Sequence, residues 1–155
     1  MTGDPDAETA TSAGARRSET AGGRAARPAV AALGIEVSLA TAERAEGSVP
    51  YDAPGDAHGA AGLTLVATAL VDTLARAAAT VHAGAGRAAV PVDVNATHHA
   101  ADAVGTPGRG RLTGVATPVH RGRSVATYAV VVEAPGGQRT CTARVTCLLR
   151  ADHAR

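Results

Sequence analysis

Apolar and polar positions follow two different rhythms along this chain. Residues 60 to 82, AAGLTLVATALVDTLARAAATVH, are apolar or small on nearly every face of a helix, so the stretch predicts a central helix buried in the fold. After it the pattern alternates with a period of two, the rhythm of strands. The runs AVPVDVNATHH, RLTGVATPVH, SVATYAVVVE and QRTCTARVTCLLR are separated by ADAVGTPGRG, RGR and APGG, whose Gly and Pro mark turns. Strand-length runs joined by short turns predict an antiparallel meander. Ahead of the helix, RPAVAAL predicts a short helical turn and GIEVSLATAERAEGSVPY a strand pair or one long bent strand. DAPGDAHGAAG, punctuated by Pro54, Gly55, Gly59 and Gly62, predicts a loop. One long helix among antiparallel strands is an α+β plan, a curved sheet wrapped around a central helix.

Composition sets the ends and the compartment. The first 27 residues hold almost no large apolar side chain and predict a disordered tail, leaving residues 28 to 151 as the folded domain. The tail lacks the apolar stretch of a signal peptide, and no charge-free apolar run is long enough to cross a bilayer, so a soluble cytoplasmic protein without membrane contact is expected. Net charge is +1, the tail arginines alternate with acids, and no aromatic side chain is placed to stack on bases, which argues against nucleic acid as a partner. The chain has no Phe and no Trp. A core closed by Val, Leu, Ile and Ala alone favours further burial through a homodimer or a dimer of dimers.

The candidate chemistry starts from Asp72, an acid inside the apolar helix. A buried carboxylate is costly unless it is paired or used. Arg76, four residues on, stands in the favourable order for a helical ion pair, and both readings stay open. In the last strand Cys141, Ala143, Val145, Cys147 and Leu149 share one parity and Thr140, Thr142, Arg144 and Thr146 the other. Both thiols therefore face the core, about 20 Å apart and beyond disulfide reach. His58, His82, His120 and His153 show no ligand spacing, so no metal and no cofactor is implied.

The order of strands, loop, central helix, VDVNATHHA and VATPVHRGRSVATYAVVVEAPGGQRTCTARVTCLL resembles the hotdog-fold acyl-CoA thioesterases, including the hydroxybenzoyl-CoA and phenylacetate-pathway types, over about residues 28 to 150. LVDT at 70 to 73 is similar to that family's Leu-Ala-Asp/Glu on the central helix, and VHRGRS at 119 to 124 to its hairpin before the penultimate strand. The resemblance implies a hotdog fold, hydrolysis of an acyl-CoA or acyl-carrier-protein thioester, and a helical acid, Asp72, as general base or nucleophile. Two alternatives stay open: a non-catalytic acyl-binding hotdog protein and a hotdog enoyl hydratase or dehydratase.

One part of the family pattern is missing. A His-Gly-Gly at the helix start would fall at Leu63 and Thr64, whereas His58-Gly59 lies upstream. Backbone N–H groups of Gly62 to Thr64 are expected to serve as the oxyanion donors in its place. Locally the chain is similar to the fluoroacetyl-CoA type of hotdog thioesterase, whose threonine, acid and histidine correspond to Thr64, Asp72 and His98. Parity supports His98 independently, because Val92, Val94, Ala96 and His98 share a face. If the valines face the helix, His98 does too, as a ligand-facing group or as a core histidine. Thr64 is equally readable as a helix cap. Arg121, Gly122 and Arg123 form either a solvated turn or a contact for CoA phosphates at the pocket mouth. Thr64 and Asp72 are about 12 Å apart along the axis, so a site using both requires two protomers with antiparallel helices.

Overall fold

The computed structural model of the protein describes residues 28–53, 57–99 and 108–152. A short helix α1 (Pro28–Ala32) leads into strands β1 (Glu36–Ala40) and β2 (Ala45–Ala53). The long helix α2 (Ala57–Ala83) follows, and then β3 (Arg87–His98), β4 (Gly108–Arg121), β5 (Val125–Ala134) and β6 (Gln138–Ala151). All six strands join one sheet in the order β1-β2-β4-β5-β6-β3, with every neighbouring pair antiparallel. β3, although it leaves the helix directly, therefore lies at the far edge beside the last strand. α2 carries the chain across one face of the sheet and packs on it, the hotdog arrangement that the resemblance implies.

The expected loop at residues 52 to 62 is shorter than its glycines suggest. β2 runs to Ala53 and α2 begins at Ala57. Ala57, Ala60 and Ala61 are strong helix formers, and together they outweigh the cost of Gly59 and Gly62 inside the helix. The strand pair ahead of the helix is a hairpin. At its turn Thr41 Oγ1 accepts hydrogen bonds from the backbone N–H groups of Glu43 (3.3 Å) and Arg44 (2.9 Å). The tail expected over residues 1 to 27 lies outside the described residues.

α2 is long and apolar enough to meet the composition of a membrane span. Its apolar face is taken up by the sheet instead: Leu70, Val71, Leu74, Ala75, Ala78 and Ala79 are fully buried there. How the two surfaces meet is set by a pair of glycines. Gly47 on β2 lies directly opposite Gly114 on β4. A methyl group on Gly114 would come within 2.7 Å of Leu74 Cδ1, and one on Gly47 within 2.9 Å of Leu74 Cδ2 and 2.5 Å of the Glu36 carbonyl oxygen. Leu74 thus sits as a knob in a depression two strands wide, with Leu70 beside it. Alanines at 45, 116 and 126 extend the same close approach across the sheet. Small residues facing a helix compensate for the missing Phe and Trp by shortening the distance to be filled.

Tyr128, on the central strand β5, is the largest fully buried side chain. Its hydroxyl donates to the Ala42 carbonyl at 2.9 Å and pins the β1–β2 turn to the middle of the sheet. Along β5 the inward set Ala126, Tyr128, Val130, Val132 and Ala134 is buried in strict alternation. In β6 the buried set includes Cys141, Val145, Cys147 and Leu149, both cysteines being free thiols, as parity predicts. Thr140 breaks that parity. The pairing shifts where Val132 meets Cys141 and Glu133 meets Arg139, so Thr140 is the extra residue of a bulge. It is buried, and its hydroxyl donates to the Val132 carbonyl at 3.1 Å.

Two outcomes follow. Gly114→Ala must displace Leu74 or open the sheet, and urea denaturation should show a loss of about 1–3 kcal/mol despite the better strand propensity of alanine. Burial, reinforced by Asp72 and opposed by Arg76, pushes the Cys147 thiol from its ordinary 9.0 up to about 11. Between those values the folded chain keeps a proton that the unfolded chain has released, so stability falls as pH rises through the window. Burial shifts Cys141 and Tyr128 in the same direction. The thermal unfolding midpoint should therefore drop from pH 9 to pH 11, and Cys147→Ala should flatten part of that drop.

Candidate active site

The site is organised by the way β3 runs beneath α2. Ala89 pairs with Leu149 and Pro91 with Cys147; beyond a bulge Val94 pairs with Val145, Ala96 with Ala143 and His98 with Cys141. The buried partners Leu149, Cys147, Val145 and Cys141 point to the helix. Val94, Ala96 and His98 therefore face the helix too, as parity predicts, while Val92 is the extra residue of the bulge. At the end of the strand His98 Nε2 lies 3.3 Å from Thr68 Oγ1 of α2. His99, the next residue, turns to the opposite side, with Nε2 2.9 Å from Thr142 Oγ1.

Thr64, Thr68 and Asp72 follow one another at intervals of four and share a helix face. Thr68 Oγ1 donates to the Thr64 carbonyl at 2.8 Å, and Thr64 Oγ1 to the Ala60 carbonyl at 3.1 Å. Asp72 is one turn beyond Thr68, a rise of about 6 Å. Its carboxylate forms the expected ion pair with Arg76, in a partly open setting where the Asp72 side chain keeps 32% exposure and that of Arg76 23%. Thr68 thus meets His98 across α2 and β3, and Asp72 follows one turn further along the same helix face. Thr68 was not singled out by the sequence reading, although its spacing of four from both Thr64 and Asp72 marks it.

Thr64 does not cap the helix. Because α2 opens at Ala57, Gly62, Leu63 and Thr64 lie in its second turn, where helical N–H groups bond to carbonyls one turn earlier. The open end of the hydrogen-bond ladder is upstream of the place where the oxyanion donors were expected. Of these three residues Leu63 is buried in the core, while Gly62 and Thr64 are exposed, and a Cβ built on Gly62 meets no atom within 4 Å. Thr64 lies one turn before Thr68 on the same face, whereas Gly62, two residues earlier, points to the other side of the helix.

The Arg121-Gly122-Arg123 hairpin is fastened to the other end of α2. His82 Nε2, in the last turn, donates to the Gly122 carbonyl at 3.0 Å, and Gly122 N–H donates to the Val125 carbonyl at 2.9 Å. Arg121 is paired with Glu43, and the exposed Arg123 presents its carbonyl to the Arg87 guanidinium at 2.8 Å. From Thr64 to His82 is about 27 Å of helix. Within one protomer, then, the hairpin and the His98 region sit at opposite ends of α2. Among the described residues no three His, Cys, Asp or Glu side chains converge as a metal site.

The chain matches no protein-family model. It is 32% identical over 121 residues to the proofreading thioesterase EntH of Klebsiella pneumoniae, an alignment covering 75% of this chain and 81% of that protein. Among solved structures, a thioesterase from Haemophilus influenzae superposes with a TM-score of 0.67 at 26% identity, covering 82% of this chain and 87% of the other. AziG of S. sahachiroi does so with a TM-score of 0.67 at 27% identity, covering 81% and 98%. Likeness in sequence over three quarters of the chain, together with a shared sheet-and-helix architecture, means that this protein belongs to the hotdog-fold thioesterase family and is a thioester hydrolase.

Proposed function

We propose that the face between α2 and the end of β3 is where an acyl thioester, carried by CoA or by an acyl-carrier protein, is hydrolysed. The observation that carries the reading is the position of His98, held against Thr68 one helical turn from Asp72. Asp72 draws a proton from water as the water oxygen bonds to the carbonyl carbon. A bridging water passes that proton from Asp72 to His98, which delivers it to the sulfur as the C–S bond breaks. The products are free acid and free thiol. Arg76 holds the carboxylate along the helix face, so the pairing and the catalytic role of Asp72 are compatible. The exposed Thr64, one turn before Thr68, leaves the thioester room to lie against this face of the helix, with Leu63 anchoring that turn in the core.

The working unit in this reading is a homodimer, alone or doubled, in the cytoplasm. β3 is an open sheet edge of 12 residues; its Val92, at 60% exposure, and Leu65 of α2, at 72%, are uncovered in the single chain. A second protomer with its helix antiparallel covers both. It also brings its own Arg121-Gly122-Arg123 hairpin to the end where His98 lies, and there Arg123 reaches the anionic carrier.

Against a panel of acyl thioesters, with released thiol as the signal, Asp72→Asn should lower turnover by about a hundredfold or more while the unfolding midpoint stays close to that of the wild type. Unchanged turnover with lowered stability would reduce Asp72 to the structural partner of Arg76. Ligand binding with no hydrolysis of any panel member would favour an acyl-binding protein. Sedimentation should show a dimer or tetramer, and Val92→Arg should shift it to a folded monomer with depressed activity.

A further inference from the structure

A hydroxyl has one proton, and Thr68 has already committed its own. The helix places Thr68 Oγ1 2.8 Å from the Thr64 carbonyl, a group that only accepts, so the Thr68 proton lies in that bond. What remains on Oγ1 is acceptor capacity. The contact of 3.3 Å from Oγ1 to His98 Nε2 is then a hydrogen bond in one direction alone, with Nε2–H as donor. A neutral imidazole that donates from Nε2 carries its free lone pair on Nδ1.

We infer that Thr68 is a positioning residue that holds His98 in the Nε2–H form, so that protons enter and leave this ring at Nδ1. Its neighbours on the helix give the arrangement its order: Thr64 fixes the hydroxyl of Thr68, Thr68 fixes the ring of His98, and Asp72 stands one turn further along the same face. In the proposed hydrolysis the proton that Asp72 draws from the attacking water reaches Nδ1 through a bridging water and passes from Nδ1 to the departing sulfur, while the Nε2 proton stays on the ring in its bond to Thr68. The inference rests on His98 taking part in the reaction, but its structural half, the tautomer and its cause, stands apart from activity.

The test uses the full-length protein labelled with 15N at histidine. Long-range 1H–15N spectra of neutral His98, assigned by comparison with His98→Gln, should show protonated Nε2 and bare Nδ1 alone. Thr68→Val, which removes the acceptor at constant shape, should give a mixture of both tautomers, and Thr68→Ser should restore the single form. Turnover should fall about tenfold or more in Thr68→Val with little change in KM and recover in Thr68→Ser, since the ring remains but its proton-carrying atom is no longer fixed. A wild-type His98 protonated on Nδ1, or a Thr68→Val protein with unaltered tautomer and full turnover, would overturn the inference. Full activity in His98→Gln would instead refute the assignment of His98 to the reaction, with the spectra still deciding what Thr68 does.

Discussion

The close approach of α2 to the sheet, with Leu74 lodged over Gly47 and Gly114, is the constraint on which the other features depend. A chain without Phe or Trp closes its core by bringing backbones together, and alanines and glycines at the crossing make that possible. The seat also fixes the rotation of the helix. With Leu70 and Leu74 directed into β2 and β4, the face bearing Thr64, Thr68 and Asp72 must turn toward β3. A helix rotated by one position would lose both the seat and the alignment with His98. Packing and chemistry are therefore two readings of one rotational setting.

The consequences for the site are electrostatic as well as geometric. Asp72 acts on the buried thiol of Cys147 yet keeps access to solvent, and Arg76 pairs with it. At the end of β3 the strand has run past the core, which leaves His98 exposed while its ring is still anchored to the helix. A carboxylate near a low-polarity wall and a histidine at a rim are suited to different halves of one hydrolysis: drawing a proton from water, and returning one to a leaving group.

Much of this was legible in the sequence because it depends on period. The helix apolar on all sides, the alternating strands, the inward thiols and the inward His98 were all read from spacing, as was the pairing of Asp72 with Arg76. What escaped has local causes that pattern does not encode. The helix start was placed near residue 60 because Gly59 and Gly62 look like punctuation, and with that shift the cap role of Thr64 and the N–H groups expected at Gly62 to Thr64 moved into the second turn. Two bulges, at Val92 and Thr140, interrupt parities that the sequence presents as unbroken. Thr68 went unnoticed since its spacing of four from Thr64 and Asp72 gains meaning only through its contact with a residue thirty positions away.

The central claim is that Asp72 and His98 handle the same proton in succession within one hydrolysis. A double-mutant cycle measures this most directly, with kcat/KM determined for the wild type, Asp72→Asn, His98→Gln and the protein carrying both changes. If the two residues serve one transfer, the double variant is no slower than the slower single variant. Losses that multiply across the two sites would show independent contributions and contradict the account.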